Sequence, residues 1–139
     1  MKASLLYRIA AVLLVLFALG HTLGFRQSDP AWGVGALLSS MRSIHFDVQG
    51  SNRTYWDLFL AAGFGVGIFY VFAAVLAWQL GGLASEILAT LRLTRWCFAL
   101  SFAVVTVVSC KYLFILPIIF SVVITICLAG AAWLSGKAS

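Results

Sequence analysis

Four long runs of apolar residues dominate the chain, separated by short polar segments. A helix needs about 20 apolar residues to cross the hydrocarbon core of a bilayer. The pattern therefore predicts four membrane-spanning helices, at residues 5–25, 58–80, 93–110 and 116–134. Arg8 lies in the first turn of the first span, where its long side chain can reach the headgroups.

The third and fourth spans belong to one apolar stretch, residues 96–134, which only Lys111 interrupts. As a single helix this stretch would be about 58 Å long, about twice the thickness of the hydrocarbon core. It must therefore fold back on itself. Lys111 and Pro117 mark the hairpin, because proline suits the first turn of a helix.

The longest polar segment, residues 26–54, connects the first two spans. Four apolar residues recur in it at helical spacing: Leu37, Leu38, Met41 and Ile44. This spacing predicts a short amphipathic helix on the membrane surface or over the bundle. A segment that simply packs on the helix ends is an equally good interpretation. Residues 49–52, Gln-Gly-Ser-Asn, predict a turn.

Composition places the chain in the membrane. Hydrophobic residues make up 63% and charged residues 9% of the 139 residues, and the mean hydropathy is +1.08. Soluble domains have about 25% charged residues. A soluble enzyme, a nucleic-acid-binding protein and a disordered chain are therefore excluded. We expect an all-α fold, an integral membrane four-helix bundle with a structured outer loop between its first two helices, forming one domain over residues 1–139.

The net charge of +5 does not indicate a nucleic-acid partner, because the cations are scattered singly and flank the apolar runs. With both termini cytoplasmic, the inner face carries five cations: Lys2, Arg8, Arg92, Arg95 and Lys137. The outer face then carries four: Arg26, Arg42, Arg53 and Lys111. This small excess predicts cytoplasmic termini, with the chain in a bacterial inner membrane. The first apolar run also resembles a signal peptide, but its length favours an uncleaved helix.

The candidate binding site lies where the outer loop meets the first two spans. His21 is close to the outer end of the first span and Asp57 is in the first turn of the second, so the two side chains could meet. A histidine–carboxylate pair can transfer protons or anchor a polar headgroup. With Arg53 and Trp56, these residues form the predicted ligand-binding set. The alternative is that His21 reaches interfacial water while Asp57 forms a capping box with Thr54.

Small residues predict where helices approach each other closely. Gly63 and Gly67 share one face of the second span, and Gly20 and Gly24 have the same spacing in the first. Such faces typically pack helix against helix. The glycines do not form a nucleotide-binding loop, because no strand precedes them.

The sequence identifies no catalytic residue, no metal ligands and no cofactor. Cys97, Cys110 and Cys127 lie far apart in predicted helices, which argues against a redox or zinc site. His45 lies in the loop, so haem ligation from within the bundle is not expected. Whether the chain is an enzyme stays open, although these patterns favour a protein without enzymatic activity.

Three short segments carry a resemblance to known proteins. They are Gly-His-Thr-Leu-Gly at 20–24, Gly-x-x-Arg-Thr-Tyr-Trp-Asp at 50–57 and Gly-Phe-Gly at 63–65. The chain resembles a group of small four-helix bacterial membrane proteins, similar in size and architecture to DoxX-like proteins. That resemblance implies a four-pass fold but no activity or catalytic residue.

A looser resemblance is to the sterol-isomerase and sigma-2-receptor superfamily, whose four-helix members bind lipid-like ligands between their helices. Acidic residues lie inside the bundle in those proteins. This chain has only Asp57, at the mouth, which argues against isomerase activity.

These patterns leave several functions open. The first is binding of a lipid-like or other hydrophobic small molecule at the outer mouth. The alternative is a structural or accessory subunit of a larger membrane complex. A small transporter is less favoured, because no span has an ionisable residue near its centre. Membrane lipids are the expected partners, and a homo-oligomer is compatible with the glycine faces.

Overall fold

Four long helices account for most of the chain, as the apolar runs predict. The computed structural model describes residues 2–136, so Met1 and the predicted inner-face cation Lys137 lie outside the described residues. The structure is 81% helical and is an all-α four-helix bundle. The long helices are α1 (Lys2–Gly24), α3 (Tyr55–Leu80), α5 (Arg92–Tyr112) and α6 (Ile115–Ser135). Each is long and apolar enough to cross a membrane.

The connection between α1 and α3 is structured. A single 3-10 turn, Pro30–Trp32, is capped by the Asp29 side chain, and α2 (Gly35–Ser43) follows it. The short helix predicted from the apolar spacing is therefore present. Two strands come next, β1 (His45–Val48) and β2 (Ser51–Thr54), paired antiparallel.

The predicted turn at 49–52 is shorter than expected. Only Gln49 and Gly50 form it, with positive φ angles of 49° and 78°, while Ser51 and Asn52 belong to β2. Two successive left-handed residues match the twist of paired strands, which is why a two-residue turn joins them tightly.

The last two spans form the expected hairpin. Residues 113 and 114 connect α5 to α6, and Pro117 is the third residue of α6, in its first turn. A short helix that the sequence pattern did not predict, α4 (Ser85–Thr90), lies in the connection between α3 and α5.

The backbone contacts group the described residues into two compact units. The first contains residues 2–17 and 70–136, and the second contains Ala18–Phe69. The single domain over residues 1–139 stays a prediction. The core of the first unit is formed by α1, α3, α4, α5 and α6. Its buried residues include many alanines: Ala10, Ala11, Ala73, Ala74, Ala77, Ala99 and Ala131.

Large apolar side chains lie on the outside of the helices. Ile68, Phe69, Leu93 and Ile115 are each about 70% exposed or more. Small residues inside and large apolar residues outside are typical of helices that pack in lipid, where close backbone approach stabilises the fold. Together with the four long apolar helices, this pattern identifies an integral membrane protein.

Arg95, one of the predicted inner-face cations, is buried. Its guanidinium donates to the carbonyl of Ala89, at the end of α4, and to that of Ala132, near the end of α6, each at 3.1 Å. Carbonyls at helix ends lack partners within the helix and carry partial negative charge. Arg95 therefore joins the ends of two helices within the first unit.

Candidate functional site

The predicted site residues all lie in the second unit, where β2 runs directly into α3. Thr54 ends the strand and caps the helix. Its backbone N–H and its hydroxyl donate to Asp57 Oδ2 at 2.8 and 3.0 Å, and the Asp57 N–H donates to Thr54 Oγ1 at 3.2 Å. This reciprocal arrangement is the predicted capping box. The Asp57 carboxylate therefore serves the start of its own helix.

His21 bonds to the backbone of α3. Its Nε2 lies 2.9 Å from the Gly63 carbonyl oxygen. Because a carbonyl oxygen can only accept, His21 Nε2 donates this hydrogen bond. The ring also stacks on Phe25, with centroids 5.2 Å apart. His21 and Asp57 thus each have another partner, and their direct pairing stays a prediction.

The glycines of α3 allow α1 side chains to lie against its backbone. A Cβ at Gly63 would be 2.2 Å from the Phe25 ring, and a Cβ at Gly67 would be 2.7 Å from Thr22 Oγ1. A Cβ at Gly20 or Gly24 would meet nothing within 4 Å. The close approach is therefore one-sided: the small residues are on α3, and α1 contributes the side chains that fill the space.

Four aromatic side chains form a continuous series of ring contacts, here called the aromatic row: Trp56, Phe59, Phe25 and Phe64. The centroids are 5.3 Å apart for Trp56 and Phe59, 5.6 Å for Phe59 and Phe25, and 5.3 Å for Phe25 and Phe64. These distances are typical of favourable aromatic pairs. The row gives the second unit a continuous apolar surface.

Each end of the aromatic row carries an arginine. The Arg42 guanidinium lies 4.1 Å from the centroid of Trp56, and that of Arg26 lies 5.4 Å from the centroid of Phe64. Both arginines are exposed. Within the described residues neither has a carboxylate in ion-pairing range. A guanidinium that lies over a ring still has N–H groups available to bind an anion.

The remaining predicted site residue, Arg53, is exposed and donates to the carbonyl of Asn52 at 2.8 Å. Beside it, the Asn52 side chain accepts from His45 Nδ1 at 2.7 Å and donates to Asp47 at 2.9 Å. These bonds tie β1 to β2. Among the described residues, no group of three or more potential metal ligands lies together.

Sequence reasoning found Trp56 but missed the rest of the aromatic row and both arginines. Phe25 and Arg26 are adjacent at the end of the first apolar run. This is the one sequence feature that could have indicated an arginine beside the aromatic row. The contact of Arg42 with Trp56 could not have been predicted, because it depends on how α2 and the β1–β2 hairpin fold back on α3.

Comparisons with known proteins give no identification: no family model, curated protein or solved structure matches the chain significantly. The resemblance to small DoxX-like membrane proteins therefore stays a prediction.

Proposed function

We propose that this integral membrane protein binds a lipid-like molecule with an anionic head at the aromatic row. The observation that carries the proposal is the row itself, flanked by Arg26 and Arg42. Aromatic side chains suit an acyl, isoprenoid or sterol-like tail, and an exposed guanidinium suits a phosphate or carboxylate.

The four residues predicted from the sequence have different parts in this proposal. Trp56 is a member of the row and carries Arg42 on its face. His21 stacks on Phe25 and supports the row from α1. Arg53 adds a nearby exposed cation. Asp57 contributes indirectly, because its bonds to Thr54 fix the first turn of α3, which contains Trp56.

The proposal keeps the predicted orientation in a bacterial inner membrane, with cytoplasmic termini. The α1–α3 loop would then face outward, and the ligand would enter from the outer leaflet. The excess of cations at the other end of the helices supports this orientation.

Native mass spectrometry of the protein released from mild detergent tests the proposal. We expect the wild type to retain an amphiphile, and we expect Trp56→Ala and Arg42→Gln each to lower its occupancy about tenfold, since a hydrogen bond to a charged group, or burial of a large apolar side chain, contributes about 1.5–3 kcal/mol. His21→Ala should lower occupancy less.

Trp32→Ala is the matched control, because Trp32 is an exposed tryptophan in the connection between α1 and α3 that makes no ring contact within the described residues. It should retain the amphiphile at the wild-type level. A wild-type chain that carries no small molecule contradicts the proposal. So does a chain retained only with a second protein, which is the result expected of an accessory subunit.

A further inference from the structure

An apolar groove lies between α1 and α3 in the first unit, and its lining shares no residue with the aromatic row. Its volume is about 470 Å³, within the usual range of about 300–1,000 Å³ for small-molecule sites. Six residues form most of its walls: Val12, Val15, Leu16, Val71, Val75 and Trp78. Apart from Gln79, its lining is apolar.

The polar groups are at one end of this groove. The Arg8 guanidinium lies 3.9 Å from the centroid of Trp78, which itself lines the groove, and Gln79 is the next residue. Arg8 precedes Val12 by four residues and therefore lies on the same face of α1. Within residues 2–136, no carboxylate is in ion-pairing range of Arg8.

The charges of the first unit favour an anion at this end. Its described cations near the start of α1 are Lys2 and Arg8. Glu86 is the one acidic residue among the described residues of this unit, and it is exposed on α4. Cations at helix ends attract anionic headgroups, and each contributes about 1 kcal/mol near an anionic membrane surface.

The length of the groove suits part of one acyl chain. From Val71 to Gln79 the helix rises about 12 Å. One leaflet of the hydrocarbon core is about 15 Å thick, half of the full core. The groove is therefore long enough for the portion of an acyl chain nearest the headgroup.

We propose that this groove binds one acyl chain of an anionic phospholipid, with the phosphate on Arg8. The guanidinium remains stacked on Trp78 while its N–H groups donate to the phosphate oxygens. This inference is independent of the function proposed above, because the two sites share no residue.

The first test compares two lipids with identical chains. The protein is embedded in nanodiscs of equimolar phosphatidylglycerol and phosphatidylcholine, and native mass spectrometry counts the lipids retained after release. We expect the wild type to retain about fivefold more phosphatidylglycerol. Arg8→Gln should reduce the ratio to near unity, and Arg8→Lys should retain part of the preference.

Arg92→Gln is the matched control, since it removes an exposed cation from the same unit without altering the groove. It should keep the wild-type preference. Equal retention of both lipids by the wild type overturns the proposal. If Arg92→Gln lowers the preference for phosphatidylglycerol as much as Arg8→Gln does, the proposal is also overturned. The preference would then depend on the net charge of the protein and not on a phosphate site at Arg8.

A second variant tests the groove without removing a charge. Val12→Phe fills the groove from α1, and we expect it to lower retention of both lipids about fivefold, the loss expected from about 40 Å² less apolar contact. Val104→Phe is its control, because Val104 is an exposed valine on α5 outside the groove. Equal retention by the two variants overturns the proposal. The effects of Arg8→Gln and Val12→Phe are measured again in a Trp56→Ala background, where both should persist, and this separates failure here from failure of the aromatic-row site.

Discussion

Gly63 and Gly65 are two residues apart on α3, and they differ in what a methyl group would meet. At Gly63 it would overlap the Phe25 ring, whereas at Gly65 there is open space within 4 Å. Phe25 cannot move away cheaply, because its ring also contacts His21, Phe59 and Phe64. Packing therefore requires glycine at position 63 but not at position 65.

We expect Gly63→Ala to lower the free energy of unfolding by about 1–3 kcal/mol, the usual cost of overpacking. Gly65→Ala should instead raise it by about 0.5–1 kcal/mol, because alanine loses less backbone entropy than glycine in a helix. Denaturant unfolding in detergent, followed by tryptophan fluorescence, measures both. Equal effects of the two substitutions would contradict the packing of Phe25 on Gly63.

At the scale of elements, the start of α3 is the feature that positions the site. The helix begins at Tyr55, three residues before the predicted span, because the Thr54–Asp57 bonds satisfy the first free N–H groups. Apolar periodicity alone places the start of the helix at the first apolar side chains. The helix begins earlier in the chain because the capping box stabilises its N-terminal turn.

Thr54→Val keeps the shape of the side chain but removes both hydroxyl bonds to Asp57. We expect the amides of the first turn of α3 to exchange faster, consistent with a loss of about 1 kcal/mol in local stability. Hydrogen exchange in detergent measures this. Thr94→Val, at an exposed threonine of α5, is the control and should leave the exchange unchanged. Unchanged exchange in Thr54→Val would contradict a capping role.

Some of these elements could be predicted from the sequence and others could not. The four spans, α2, the capping box and Pro117 in the first turn of α6 could be predicted, because each depends on residues close together in the chain. The β1–β2 hairpin was predicted only as a turn, since the alternation of polar and apolar residues in His45–Val48 extends over just four residues and Ser51–Thr54 contains no apolar residue. The burial of Arg95 and the stacking of Arg42 on Trp56 depend on tertiary contacts that no local pattern contains.

At the scale of the whole molecule, the account depends on four helices that cross a membrane. Exposure of their outward apolar side chains to water would be unfavourable, whereas lipid tails can surround the same side chains without that cost. Both proposed sites depend on this placement, because each combines an apolar surface with an arginine at a helix end. The order of the spans fixes which connections share a side of the membrane.

Labelling of single cysteines with a membrane-impermeant maleimide tests this topology most directly. The three native cysteines are first replaced by alanine, and one cysteine is then introduced by Ser28→Cys, Ser85→Cys or Leu113→Cys. Four spans predict that Ser28→Cys and Leu113→Cys are labelled from one side of sealed vesicles and Ser85→Cys only from the other. Labelling of Ser28→Cys and Ser85→Cys from the same side would contradict the four-span fold.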